Sequence, residues 1–222
     1  MNRLLLSALL PTFVIVMGPS CASAPVPCAT SGVCGEGRLC VAGACRPKNQ
    51  IPAETTARKL ELWPDRWAVL ASRGPEPWNG VDVPFGRSSA GTVALLLHFN
   101  SPLREASRVV SAFLVLDAMP DMPPSSSPVP LNLSRISAPW SAETATWARL
   151  PALSPLHATV LASNWGGRRL FVDVSSEVHR WREQRDDQHG IALVAEPHDP
   201  IGASYSLGLA GAQGPRLEIY LR

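Results

Sequence analysis

Four cysteines carry the plainest chemistry in this chain. Cys28, Cys34, Cys40 and Cys45 are separated by five, five and four residues. Thiols so placed either oxidise in pairs or hold a soft metal ion. The spacings miss the tight knuckles of structural zinc sites and no histidine stands near them. Two disulfides are therefore expected, which implies an oxidising compartment. A segment this short cannot bury a core, and the crosslinks would substitute for one. The sequence leaves their connectivity open.

Two tryptophans have a different chemistry. Trp78 stands in Pro75-Glu76-Pro77-Trp78-Asn79-Gly80 and Trp165 in Asn164-Trp165-Gly166-Gly167, both turn-rich. An indole exposed on a loop can stack on a sugar ring, or it can cover the end of a β-sandwich. Arg168 and Arg169 follow Trp165 closely, and their planar forks suit a sugar carboxylate. The histidines His98, His157, His179, His189 and His198 are scattered, with no metal-ligand spacing. Asp173, with Glu177 downstream, is of the residue type that holds a structural calcium ion, but hydrogen bonding to the backbone at a strand end is the favoured role. No other cofactor is expected. The chain contains no Gly-x-Ser-x-Gly elbow and no phosphate loop, whereas paired carboxylates for glycoside cleavage are defined by distance in space and leave no linear motif.

These residues need elements to hold them. The 22 prolines are roughly twice an average share of ~5%, which favours short strands and turns over long helices. A hydrophobic content of 45% is enough for a core. With 20 basic and 18 acidic residues interspersed, there is no electrostatic footprint for nucleic acid. Arg3 followed by an apolar run from Leu4 to Met17 and then small residues reads as an export signal. Residues 1–21 are assigned to it, with Cys21 as the expected lipidation site in Gly18-Pro19-Ser20-Cys21. Residues 22–46 form the cysteine-rich knot, 47–56 a polar linker and 57–222 the main domain. The expected location is outside the cytoplasm, as an outer-membrane-anchored lipoprotein or a secreted protein.

Within the main domain, strand-length apolar runs occur at Thr92–Phe99, Arg108–Asp117, Leu131–Ile136, Leu170–Val174, Gly190–Ala195, Ser204–Leu209 and Pro215–Leu221. A stretch from the latch to about Ala162 is proline-rich and reads as irregular. Ser175–Glu183 changes period, with a serine to cap and Val178 and Trp181 on one face, so one short surface helix is expected. The latch itself is Trp140-Ser141-Ala142-Glu143-Thr144-Ala145-Thr146-Trp147. Here two tryptophans bracket short hydrogen-bonding side chains that can hold an irregular loop in one shape.

The order of these pieces resembles the DNRLRE domain family, related to carbohydrate-binding modules of family 96. The latch matches that family's W-S-x-E-x-x-T-W signature. Ala94–Phe99, Ser111–Leu114, Phe171–Val174 leading to Val178 and Trp181, Gly190–Leu193 and Gly214–Ile219 match in order. The D-N-R-L-R-E string itself is absent, and His98 stands where the family usually has arginine. The resemblance implies an all-β, jelly-roll-like sandwich with binding of acidic polysaccharide in some relatives. It also implies that Trp140, Glu143, Thr146, Trp147 and Trp181 serve structure. A non-catalytic surface protein that binds extracellular polysaccharide, or that builds surface or matrix structure, is the resulting expectation. The alternative is a polysaccharide-active enzyme, a uronate lyase or glycoside hydrolase. Oligomeric state is not legible.

Overall fold

The computed structural model describes residues 26, 28, 33–41, 44–47, 58–75, 78–100, 103, 108–120, 122–123, 127–162, 169–183, 188–208 and 214–222. The expected signal, Cys21 and all of the linker but Pro47 lie outside the described residues.

The cysteine-rich segment is a small hairpin, β1 (Arg38–Val41) against β2 (Ala44–Pro47), with Cys40 opposite Cys45. Each of these two bonds elsewhere. Cys28 pairs with Cys40 and Cys34 with Cys45, so the bridges interleave, first with third and second with fourth. The sulfurs of Cys28, Cys34 and Cys45 lie within 4.8 Å of one another. Stacked crosslinks thus fill the middle of a unit too small for an apolar core.

The rest is an all-β sandwich with one α-helix among the described residues. Its strands are β3 (Arg58–Leu62), β4 (Arg66–Ala71), β5 (Asp82–Phe85), β6 (Val93–His98), β7 (Val109–Leu116), β8 (Val129–Ile136), β9 (Leu153–Ala162), β10 (Leu170–Asp173), β11 (Ile191–Ala195), β12 (Ala203–Ser206) and β13 (Arg216–Leu221). One antiparallel sheet has the order β10-β7-β13-β3 and the other β4-β6-β11-β8-β9. The chain crosses between them from β3 to β4, β6 to β7, β7 to β8, β9 to β10 and β10 to β11, a jelly-roll-like course. A short pair, β12-β5, prolongs the four-stranded sheet, since the Ser206 N–H donates to the Asp117 carbonyl at 2.8 Å and the Met119 N–H to the Ser204 carbonyl at 3.0 Å.

Period-two alternation sorts side chains into separate layers. In β4, Val69 and Ala71 join the core between the sheets, while Ala68 and Leu70 face the other way. β6 does the same, with Leu95 and Leu97 inside and Ala94 and Leu96 outside. Its Val-Ala-Leu-Leu-Leu run is fully buried, so this strand is dry on both faces, whereas Pro130 and Asn132 of β8 in the same sheet are exposed. The outer face is covered by the latch segment, whose Trp140, Ala142, Ala145, Trp147 and Leu150 pack on Ala68, Leu70, Leu96 and Ala192. On the opposite sheet an outer cluster has Phe113 edge-on to Phe171 and Tyr220, with ring centroids 6.4 Å apart in each pair.

The α-helix α1 (Ser175–Glu183) is tied to β7 at its start: the Ser175 hydroxyl accepts from the Ala112 N–H at 2.9 Å, and the Asp173 carboxylate accepts from the Ser175 N–H at 2.9 Å. Val178 and Trp181 turn inward, with Trp181 stacked on Phe99 at 6.4 Å. Glu177, buried in the first turn, accepts from Arg135 Nε at 2.9 Å, and that bond raises the Arg135 pKa. The helix dipole favours a carboxylate there as well.

Four strands depart from the sequence reading, among them β4, which no strand-length run marked. β3 was not singled out from its composition. β9, the ten-residue strand through the stretch read as irregular, contains Pro155, and β5 contains Pro84. Both prolines sit on strands with a single hydrogen-bonded neighbour among the described residues, where a missing N–H costs no ladder bond. Pro155 stands beside a register shift between Asn132 and Ser134. At Gly190, with φ +106°, an added Cβ would fall 2.1 Å from the Leu97 carbonyl oxygen, so the entry to β11 admits glycine alone.

Leu95→Ala, between the sheets, is expected to lower unfolding stability by about 2–5 kcal/mol, measured by denaturant titration. Leu161→Ala, at a side chain 62% exposed, should change it by less than about 0.5 kcal/mol.

Candidate functional site

The turn from β3 to β4, Trp63-Pro64-Asp65-Arg66-Trp67, is held from two sides. The Asp65 carboxylate is 2.7 Å from His98 Nδ1, and the Asp65 N–H donates to the His98 carbonyl at 3.1 Å. Arg66 Nη1 donates to the Trp140 carbonyl at 2.5 Å, and its guanidinium lies 5.2 Å from the centre of the Trp140 ring. Trp140 is fixed in turn by its indole N–H, which donates to the His189 carbonyl at 2.8 Å. Two adjacent residues of the turn are therefore bonded, one to β6 and the other to the latch.

Held in this way, the turn presents two tryptophans. Trp63 and Trp67, with Pro64, form one side of an open groove of about 420 Å³, and Leu207, Gly208, Gly214 and Pro215 form the other. Gly208 has φ +83°, a conformation that disfavours a side chain, so this wall stays flat. Trp63 is 50% exposed, unusual for so large an apolar side chain. The groove lies where β12 ends, β13 begins and β3 passes to β4. Its volume falls in the range of small-molecule sites, on the order of 300–1,000 Å³.

Behind Trp63 lies Arg216, whose side chain is only 3% exposed and whose guanidinium is 5.9 Å from the indole centre. Burying a guanidinium requires partners, and Arg216 has Asp117 at 2.5 Å and Glu218 at 3.4 Å. The other oxygen of Asp117 accepts from Arg169 Nε at 2.6 Å. Lys59 lies 2.5 Å from Glu61 and 3.6 Å from Glu218, and its hydrogen bond holds the Glu61 carboxyl below its usual range. Tyr220, on the same face, has its phenol pushed up to about 12, chiefly by burial and then by the Glu218 charge.

The residues singled out from sequence fall into separate places. Trp78 is half-buried, packs against the inter-sheet core and donates its indole N–H to the Asp82 carbonyl at 2.9 Å. It borders a smaller pocket of about 110 Å³ that shares Trp67 with the groove. Arg169 stands at Asp117, while Trp165 and Arg168 lie outside the described residues. Asp173 binds the helix N-terminus. In the latch, Trp140 is buried and Trp147 half-buried, and the Ser141 and Thr144 hydroxyls are 2.8 Å apart. Thr146 accepts from the Arg149 N–H through its carbonyl at 3.0 Å. Glu143 is exposed, and hydrogen bonds from its own backbone N–H and then from Ser141 hold its carboxyl below the usual range. Trp181 belongs to the inter-sheet core, a different cluster from Trp140 and Trp147. Trp63 and Trp67 were not picked out as ligand residues. Their signal was two tryptophans flanking a proline at the end of a strand.

Two outcomes test this geometry. Trp140→Phe keeps the ring but removes the donor to the His189 carbonyl, and an expected loss of about 1–3 kcal/mol can be read from denaturant unfolding. For Tyr220, unfolded chains lose the phenolic proton near pH ~10, while the folded state keeps it to about 12. Stability contributed by Tyr220 is therefore present below pH ~10 and lost as pH rises between those values. A phenolate absorbance titration should show Tyr220 ionising late, and Glu218→Gln should shift it back toward the ordinary value. In comparisons with known proteins, no family model and no curated protein matches this chain.

Proposed function

We propose that this protein is a non-catalytic, extracytoplasmic β-sandwich that binds extracellular polysaccharide at the Trp63–Trp67 groove, and that its main domain is related to DNRLRE domains. The observation that carries the binding reading is the half-exposed Trp63 on the wall of an open groove of about 420 Å³. A large indole left in water carries a free-energy cost that a stacked ligand relieves. Because the turn that bears it is bonded to both β6 and the latch, little side-chain ordering remains to oppose binding. The family relationship rests on the spacing of the latch and the order of the strands that follow it. The extracytoplasmic location, as a lipoprotein anchored through Cys21 or a secreted protein, rests on the export-type start and is supported by two disulfides.

A glycan array and polysaccharide pull-down with the full chain test the reading. Trp63→Ala should abolish or strongly reduce retention, and Trp165→Ala, Arg168→Ala and Arg169→Ala measure what residues 165–169 add. Retention unchanged in Trp63→Ala would remove the groove as the site. Absence of retention on every glycan would leave a purely structural surface protein.

A further inference from the structure

Resting on the reading that the groove binds polysaccharide, we propose that its ligand is an uncharged glycan whose pyranose rings lay an apolar C–H face on Trp63, and not a uronate polymer. The argument is one of charge. Among the described residues, no charged side chain lines the groove. Its walls are indole, proline, leucine and glycine backbone. A carboxylate on the ligand would find no charged partner on these walls, so it would add no attraction there.

Among the described residues, the three cations behind and beside Trp63 are already paired with carboxylates. Arg216 lies behind Trp63 with its fork held by Asp117 at 2.5 Å and Glu218 at 3.4 Å. Arg169 donates to the same Asp117 at 2.6 Å. Lys59 lies between Glu61 at 2.5 Å and Glu218 at 3.6 Å. Arg169, Arg216 and Lys59 are thus matched one for one by Asp117, Glu218 and Glu61, and the ladder beside the groove carries no net charge. A uronate polymer would have to compete with these carboxylates for contact with Arg169, Arg216 or Lys59. An uncharged pyranose makes no such demand: its C–H face is desolvated against the ring, while its hydroxyls stay in water because the groove is open. Arg216 fixes which side of Trp63 does this. With one face of the indole toward the guanidinium, the exposed half is the opposite face, which makes Arg216 a positioning residue for the platform.

The test titrates the full chain with neutral β-linked gluco- and xylo-oligosaccharides and with oligouronates of matched length, at low and at physiological salt. Binding is read by calorimetry and by tryptophan fluorescence. The expected result is binding of a neutral oligosaccharide that is insensitive to salt and to Arg169→Ala, is weakened roughly tenfold or more by Trp63→Ala, and is largely retained in Trp63→Phe, which keeps an aromatic face. Preferential oligouronate binding that falls with salt and with Arg169→Ala overturns the uncharged-ligand proposal and leaves polysaccharide binding standing. Neutral binding untouched by Trp63→Ala also overturns it, by moving the ligand elsewhere. No binding of either class overturns this proposal and the polysaccharide reading together.

Discussion

The constraint on which the rest of the structure depends is that the Val93–Leu97 run of β6, inside the five-stranded sheet, is apolar on both faces. In β6, Val93, Ala94, Leu95, Leu96 and Leu97 are all completely buried. Alternation sends Leu95 and Leu97 to the space between the sheets and Ala94 and Leu96 outward, so one partner sheet satisfies only half of the strand. The latch covers the other half. It is a second, smaller core built on the outside of the sandwich, and its two tryptophans supply much of the cover.

A cover of this kind needs fixing at its edge, and the Arg66–Trp140 contact does so by pairing a carbonyl hydrogen bond with a cation over the ring. The consequence reaches beyond packing. Arg66 belongs to the turn that carries Trp63 and Trp67, whose other anchor is Asp65 at His98. Packing of the latch and the orientation of the groove aromatics are therefore mechanically linked. The latch is far from being a ligand site itself, yet it supports the residues that have the best claim to be one.

Burial of charge follows the same economy on the opposite sheet. Arg216 and Glu218 are buried on a strand whose inward residues, Leu217 and Ile219, are in the core. The charged pair faces outward beneath aromatic and aliphatic neighbours, and Asp117, Arg169 and Lys59 complete its hydrogen bonding. Such a network contributes little net stability relative to an apolar replacement. It also sets the Arg216 guanidinium 5.9 Å from the centre of the Trp63 ring.

Much of this fold was legible in the chain. Strand-length runs marked most of the main-domain strands, and Ser175–Glu183 changed period where α1 forms with those same bounds. The even set of four cysteines predicted two disulfides, because oxidation needs only thiols of suitable number and compartment. These features are local, set by backbone period and side-chain type. What required the tertiary structure was non-local: the interleaved cysteine pairing, the strands through Pro84 and Pro155, and the separation of Trp181 from Trp140 into different clusters. A proline forbids a strand only where the ladder needs a backbone N–H at that position, and that depends on which strands stand beside it. The groove is the clearest case. Trp78 and Trp63 look alike as residues near proline, but one packs on the core with its N–H bonded and the other stays half in water. That difference comes from how the β3–β4 turn meets the ends of β12 and β13, far apart in the chain and joined only by the closing of the sandwich.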